Sequence, residues 1–132
     1  MRQKKIIPTD MQAARQLAED LLQEVEAKGY SESMQFAIRL ALEEALSNAI
    51  KHGNRYDPDK SITVEAEIKD DHTAITVADE GEGFDPAAVP DPTADENLEK
   101  PSGRGIMLMR AYMDTVQFSK RGNQVSLVKN RC

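Results

Sequence analysis

Between Ala41 and Asn54 the sequence reads ALEEALSNAIKHGN. Its apolar residues keep helical time, yet Glu44 and Asn48 sit one turn apart on the shoulder of the apolar stripe, beside Ala41 and His52. A carboxylate and a carboxamide at the margin of a core face have two readings. They belong to a solvated polar face carrying Glu, Ser and Lys, or they look into a crevice. In the second case a carboxylate base stands beside an amide oxygen able to bind Mg²⁺, a hard cation that prefers oxygen ligands.

Outward from this stretch, the helix opens at Ser31, closes at Gly53, and has Ile38, Leu42, Ala45, Leu46 and Ala49 as its core face, with Ile50 at the margin. Upstream, Lys4 to Ile7 reads as a short strand stopped by Pro8. Thr9 or Asp10 then caps a helix whose Met11, Ala14, Leu17, Leu21 and Val25 recur at helical spacing until Gly29 ends it. Downstream of the polar loop RYDPDKS come two alternating segments, ITVEAEI (Ile62–Ile68) and TAITVAD (Thr73–Asp79), which predict a hairpin with one apolar face.

The stretch from Glu80 to Ser102 is rich in proline and irregular, too long for an ordinary loop, and is expected to be functional or mobile. A helix is predicted over Ile106–Tyr112, and a last hairpin pairs TVQFSK with QVSLVK around Arg121-Gly122-Asn123. Met107, Met109 and Met113 read as core filler. The resulting order, β-α-α-β-β-loop-α-β-β, predicts an α+β fold: a two-layer sandwich of a largely antiparallel mixed sheet with helices on one face.

With 132 residues the chain is expected to form one domain, residues 1–132, with a core of its own. No apolar run approaches the roughly 18 residues that cross a bilayer, so no membrane partner is expected. The start, MRQKKIIPTD, lacks the apolar stretch of a signal peptide, and Cys132 is the only thiol, so a reducing cytoplasm is expected. The net charge is −6, and the segment from Asp79 to Glu99 carries eight acids and no base. That excludes a basic nucleic-acid footprint. It leaves room for a nucleotide whose phosphates are held by backbone N–H groups, a metal ion or a few local bases.

Two further clusters bear on such a ligand. In DEGEGF, Asp79 closes a strand while Gly81 and Gly83 let the chain turn. A carboxylate fixed at a strand end accepts a hydrogen bond from an exocyclic amine such as that of adenine. In SGRGIMLMR, Gly103 and Gly105 precede a helix and have two readings: they allow tight packing, or they leave N–H groups at its positive end as a phosphate site to which Arg104 could add charge.

In this order and on these elements, the three clusters resemble the nucleotide-binding motifs of the GHKL (Bergerat-fold) ATPase superfamily, which includes gyrase, the MutL repair proteins, histidine kinases and heat-shock chaperone ATPases. Glu44 and Asn48 match its E-x-x-x-N helix, Asp79, Gly81 and Gly83 its D-x-G-x-G box, and Gly103 and Gly105 its later glycine box. The intervening segment would be the lid over ATP. Compact size and the run EEALSNAIKHGN look most like the bacterial anti-sigma-factor serine/threonine kinases.

The resemblance implies ATP and Mg²⁺ as cofactors, with the metal on Asn48 and Glu44 as the base that orients or deprotonates an attacking hydroxyl. Ser126 would reach adenine as a hydroxyl does in relatives. A sigma factor and an anti-sigma-factor antagonist would be the partners, and a homodimer the assembly. In one departure, Pro101, preceded by Lys100, stands where some members place an arginine; Arg104 or Lys100 would have to substitute for it, or kinase activity is reduced. Three activities follow: a kinase acting on the antagonist, a nucleotide-gated binding module with little transfer, or a simple ATPase. Glu44 favours an enzyme over the second.

Overall fold

The computed structural model describes residues 2–81, 103–119 and 122–131, so the expected lid, Phe84–Pro101, lies outside the described residues. The elements run β1 (Arg2–Pro8), α1 (Met11–Ala27), α2 (Glu32–Asn48), a π-helical turn (Ala49–Gly53), β2 (Ser61–Ile68), β3 (His72–Ala78), α3 (Gly103–Tyr112), β4 (Thr115–Phe118) and β5 (Gln124–Asn130).

Local chemistry accounts for the boundaries. The Asp10 carboxylate caps α1 by accepting from the N–H groups of Gln12 and Ala13. Thr9, the alternative cap, turns elsewhere and donates to the Lys60 carbonyl. Gly29 ends α1 at a φ of 86°, which only glycine adopts without strain. Ser31 caps α2 through the N–H of Met34.

The sheet order is β1-β2-β3-β5-β4. All four pairings are antiparallel, so the described sheet contains none of the mixed pairing expected of it. β1 and β4 form its two edges, and Pro8 sits on an edge, where its missing N–H leaves no ladder bond unmade. Strict alternation along β2 and β3 sends Ile62, Val64, Ala66, Ile68, Ile75 and Val77 inward. These residues join Val125 and Leu127 of β5 and the apolar faces of the three helices in one buried cluster.

Four details differ from the sequence expectation. Ile50, placed at the helix margin by α-helical spacing, is fully buried in the common core, one helical turn beyond Leu46. α3 begins at Gly103, not Ile106, so the glycines form its first turn instead of preceding it. β3 ends one residue before Asp79. Met109 and Met113 are core residues, but Met107 is exposed on the outer side of α3.

Candidate nucleotide site

Glu44 and Asn48 are both half-buried near the end of α2, as the shoulder position predicts. What covers them is the start of α3. A Cβ built on Gly105 would lie 2.9 Å from Glu44 Oε2 and 3.4 Å from Asn48 Nδ2, with Asn48 Oδ1 at 3.8 Å. A side chain at this position would push the Glu44 carboxylate aside. The contact places a carboxylate and a carboxamide directly beside the N-terminal, positive end of a helix. On its other flank Glu44 lines a groove of about 560 Å³ between α1 and α2, together with Met11, Arg15 and Ser47.

Asp79 follows β3 and continues its inward row, on the helix side of the sheet. Its backbone is pinned to the β4–β5 connection: its N–H donates to the Asn123 carbonyl at 2.9 Å. Its side chain is half-buried, and Oδ1 accepts the N–H of Gly81 at 2.8 Å. Burial pushes the carboxyl above the ordinary aspartate range, and the Gly81 N–H and the Lys60 charge pull against that shift.

The two halves of the site meet through two glycines. A Cβ on Gly53 would sit 2.3 Å from the Asp79 carboxylate, and one on Gly81 would sit 2.1 Å from the Gly53 carbonyl oxygen. The π turn that follows Asn48 thus lies in direct contact with the turn at Asp79. Gly53 reads in the sequence as a helix stop; its small size answers instead to a neighbour that is distant in sequence.

Of the expected site residues, the structure brings Glu44, Asn48 and Gly105 together, and Asp79 with Gly81. Gly103 and Arg104 stand in the first turn of α3. Gly83, Lys100 and Pro101 lie outside the described residues. Ser126 is a correction. It pairs with Thr76 across β3 and β5, hydroxyl to hydroxyl at 3.3 Å, on the sheet face opposite Val125 and Leu127. Asp79 lies on the other face, because odd-numbered positions of both strands point inward and Ser126 is even.

Sequence reading missed Asn54. It is 1% exposed and its amide joins three segments around Asp79. Its only trace in the sequence is an amide residue directly after the helix-ending glycine.

The donor set can be tested against Mg²⁺. Among the described residues no group of three acids or histidines could hold a metal ion. Asn48 and Glu44 offer one amide and one carboxylate oxygen. That suits Mg²⁺, which keeps several waters and takes the rest of its shell from substrate phosphates. A metal held wholly by protein ligands is not what these residues fit.

Residues 7–129 match the histidine kinase-like ATPase domain family. The chain is 37% identical over 90 residues to an anti-sigma F factor of Clostridium perfringens strain SM101, covering 66% of this chain and 64% of that protein. It is 34% identical over 98 residues to the anti-sigma F factor of Clostridium perfringens strain ATCC 13124, with 71% and 69% covered. A serine-protein kinase RsbW of Oceanobacillus iheyensis is 30% identical over 90 residues, with 64% and 57% covered. The chain thus spans somewhat less than two thirds of the first of these relatives. In fold it is similar to the crystal structure of the RsbU and RsbW domains of a Mycobacterium tuberculosis protein. The TM-score is 0.68 at 18% identity, covering 99% of this chain and 32% of that one. With its E-x-x-x-N helix, its strand-end aspartate and its glycine-led helix on one five-stranded sheet, the chain belongs to the histidine kinase-like ATPase domain family.

Proposed function

We propose that residues 1–132 form a single ATP-binding domain that acts as an anti-sigma-factor serine/threonine kinase. It phosphorylates an anti-sigma-factor antagonist and sequesters a sigma factor. The observation that carries this reading is the packing of Gly105 against Glu44 and Asn48, so close that a Cβ there would lie 2.9 Å from Glu44 Oε2. It gathers phosphate-binding N–H groups, a base and a metal-binding amide at one spot. Names among the relatives, anti-sigma F factor and serine-protein kinase, support a sigma-factor partner and a protein serine as the phosphate acceptor.

Phosphoryl transfer asks little covalent chemistry of the protein, so positioning and charge neutralisation dominate. The N–H groups of the first α3 turn bind the phosphates, helped by Arg104. Asp79 accepts the exocyclic amine of adenine and fixes the base. Glu44 orients the seryl or threonyl hydroxyl and takes its proton as oxygen attacks the γ-phosphorus and the bond to the β-phosphate oxygen breaks. Asn48 Oδ1 would hold Mg²⁺, which when bound neutralises charge on the phosphates. The domain works as a homodimer in the cytoplasm; among the described residues no helix is long and apolar enough to cross a membrane.

The test uses labelled ATP and a candidate antagonist protein. Label on a serine or threonine of the partner, with little free phosphate, is expected. Rapid phosphate release with no labelled protein across several candidates would make the chain a simple ATPase.

A further inference from the structure

The side chain of Asn54 is buried just beyond the π turn, and its orientation is fixed by its partners. Oδ1 accepts the N–H of Glu80 at 2.8 Å, and Nδ2 donates to the Ser61 carbonyl and to Thr9 Oγ1, both at 3.0 Å. A backbone N–H can meet only the amide oxygen and a carbonyl only the amide nitrogen, so the group cannot be flipped. The network closes around it. Thr9 donates onward to the Lys60 carbonyl, and Glu80 Oε2 accepts the N–H of Ser61 at 2.7 Å. One side chain thereby ties the end of the α2 π turn to the β1–α1 connection, the start of β2 and the exit of β3.

Glu80 is the residue between Asp79 and Gly81. Its N–H is held by Asn54 and the next N–H, that of Gly81, by the Asp79 carboxylate. With Asp79 N–H bonded to Asn123, three consecutive N–H groups of this turn are assigned to fixed acceptors. Gly53, the neighbour of Asn54, packs against the same carboxylate. Displacing Asn54 therefore releases the peptide that orients Asp79, although Asn54 is not placed to touch a nucleotide itself.

We propose that Asn54 is a positioning residue for base recognition: it holds the Asp79–Gly81 turn so that the Asp79 carboxylate meets the exocyclic amine of a purine. The inference rests on the reading of Asp79 as the acceptor for that amine. It places selectivity for the base in a residue outside the E-x-x-x-N, D-x-G-x-G and later glycine-box positions.

The experiment measures binding of ATP and of purine riboside triphosphate, which lacks the 6-amine, to the full chain by calorimetry. The wild type should prefer ATP by about tenfold, the factor for one hydrogen bond to a charged acceptor. Asn54→Ala should bring that preference close to one. Asn54→Asp, which keeps an acceptor for the Glu80 N–H, should retain part of it. Val25→Ala is the control for stability loss alone. Val25 is fully buried in α1, near Tyr30, whose hydroxyl bonds the Lys69 carbonyl at the opposite end of β3. It should leave the preference unchanged. Should Asn54→Ala not fold, Asn54→Ser takes its place, since the shorter hydroxyl cannot reach both Glu80 and Ser61. A full preference in the Asn54 variant, or an equal loss in Val25→Ala, overturns the inference. A wild type with no preference overturns the reading of Asp79 instead.

Discussion

Gly53 touches the Asp79 carboxylate with no room for a methyl group between them: a Cβ there would lie 2.3 Å from the carboxylate. The helix that carries Glu44 and Asn48 is thereby in contact with the residue that follows β3.

Gly53→Ala is therefore expected to reverse the usual helix preference. Alanine in place of a helical glycine ordinarily gains about 1 kcal/mol, but overpacking here should cost about 1–3 kcal/mol. The carboxylate must swing away from the Gly81 N–H, so ATP affinity should fall along with the melting temperature. Thermal denaturation and calorimetry check both. A raised melting temperature with unchanged affinity would refute the contact.

Asp79 should give stability and binding opposite pH dependences. Burial raises its folded pKa above the unfolded one, so the folded chain holds the proton more tightly. The stability it contributes is fully present below the ordinary aspartate pKa and is lost as pH rises through the raised value. ATP affinity should increase over that same window, because the ionised carboxylate is the better acceptor. Asp79→Asn should abolish the decline in stability and weaken ATP binding by about 1–3 kcal/mol. An unchanged decline in the variant, measured by melts at stepped pH, would assign it to another group.

Glu44→Gln or Glu44→Ala should leave ATP binding nearly intact while transfer falls by roughly 10²–10⁴-fold, the range for losing a general base. Asn48→Ala should instead weaken the metal-bound complex. Glu43 is the internal control: it is exposed and lies 3.8 Å from Arg39, an exposed pair of small energetic value. Its replacement should change transfer little. Single-turnover kinetics with labelled ATP separate the three, and full activity in Glu44→Ala would move the base elsewhere, with Glu43 next to be tested.

Gly105→Ala probes the contact between α3 and α2. The added methyl meets the far end of a flexible side chain, Glu44 Oε2 at 2.9 Å, so the protein should fold with the carboxylate displaced. A misplaced base lowers the transfer rate by about 10²-fold or more, with a smaller effect on ATP affinity. An equal loss of both would mean the methyl blocks the phosphates and not the base.

Much of this site was legible because it is local. The one-turn spacing of Glu44 and Asn48 is a property of the helix itself, and the apolar faces of α1 and α2 follow directly from their periodicity. Contacts between segments were not legible. That β5 lies beside β3, with β4 at the edge, is a choice between two ways of docking one hairpin, and neither strand's own pattern selects one. The face of Ser126 was legible too: Val125 and Leu127 are the apolar positions of its strand, so alternation alone turns Ser126 to the opposite face. Gly53 and Asn54 carry no local signal of their roles, because each answers to a residue that β3 delivers from far along the chain.

The π turn at Ala49–Gly53 has an evolutionary reading. Its Asn54 N–H reaches back five residues to the Ala49 carbonyl, one more than an α-helical bond spans. Removing a single codon between them would regularise the helix and raise no obvious alarm in its composition. It would also turn Gly53 and Asn54 to a new face and part them from Asp79 and Glu80. The irregular turn is thus a one-residue lock between two halves of a nucleotide site. A lineage that lost that residue would keep its helix and its motifs while losing the connection between them.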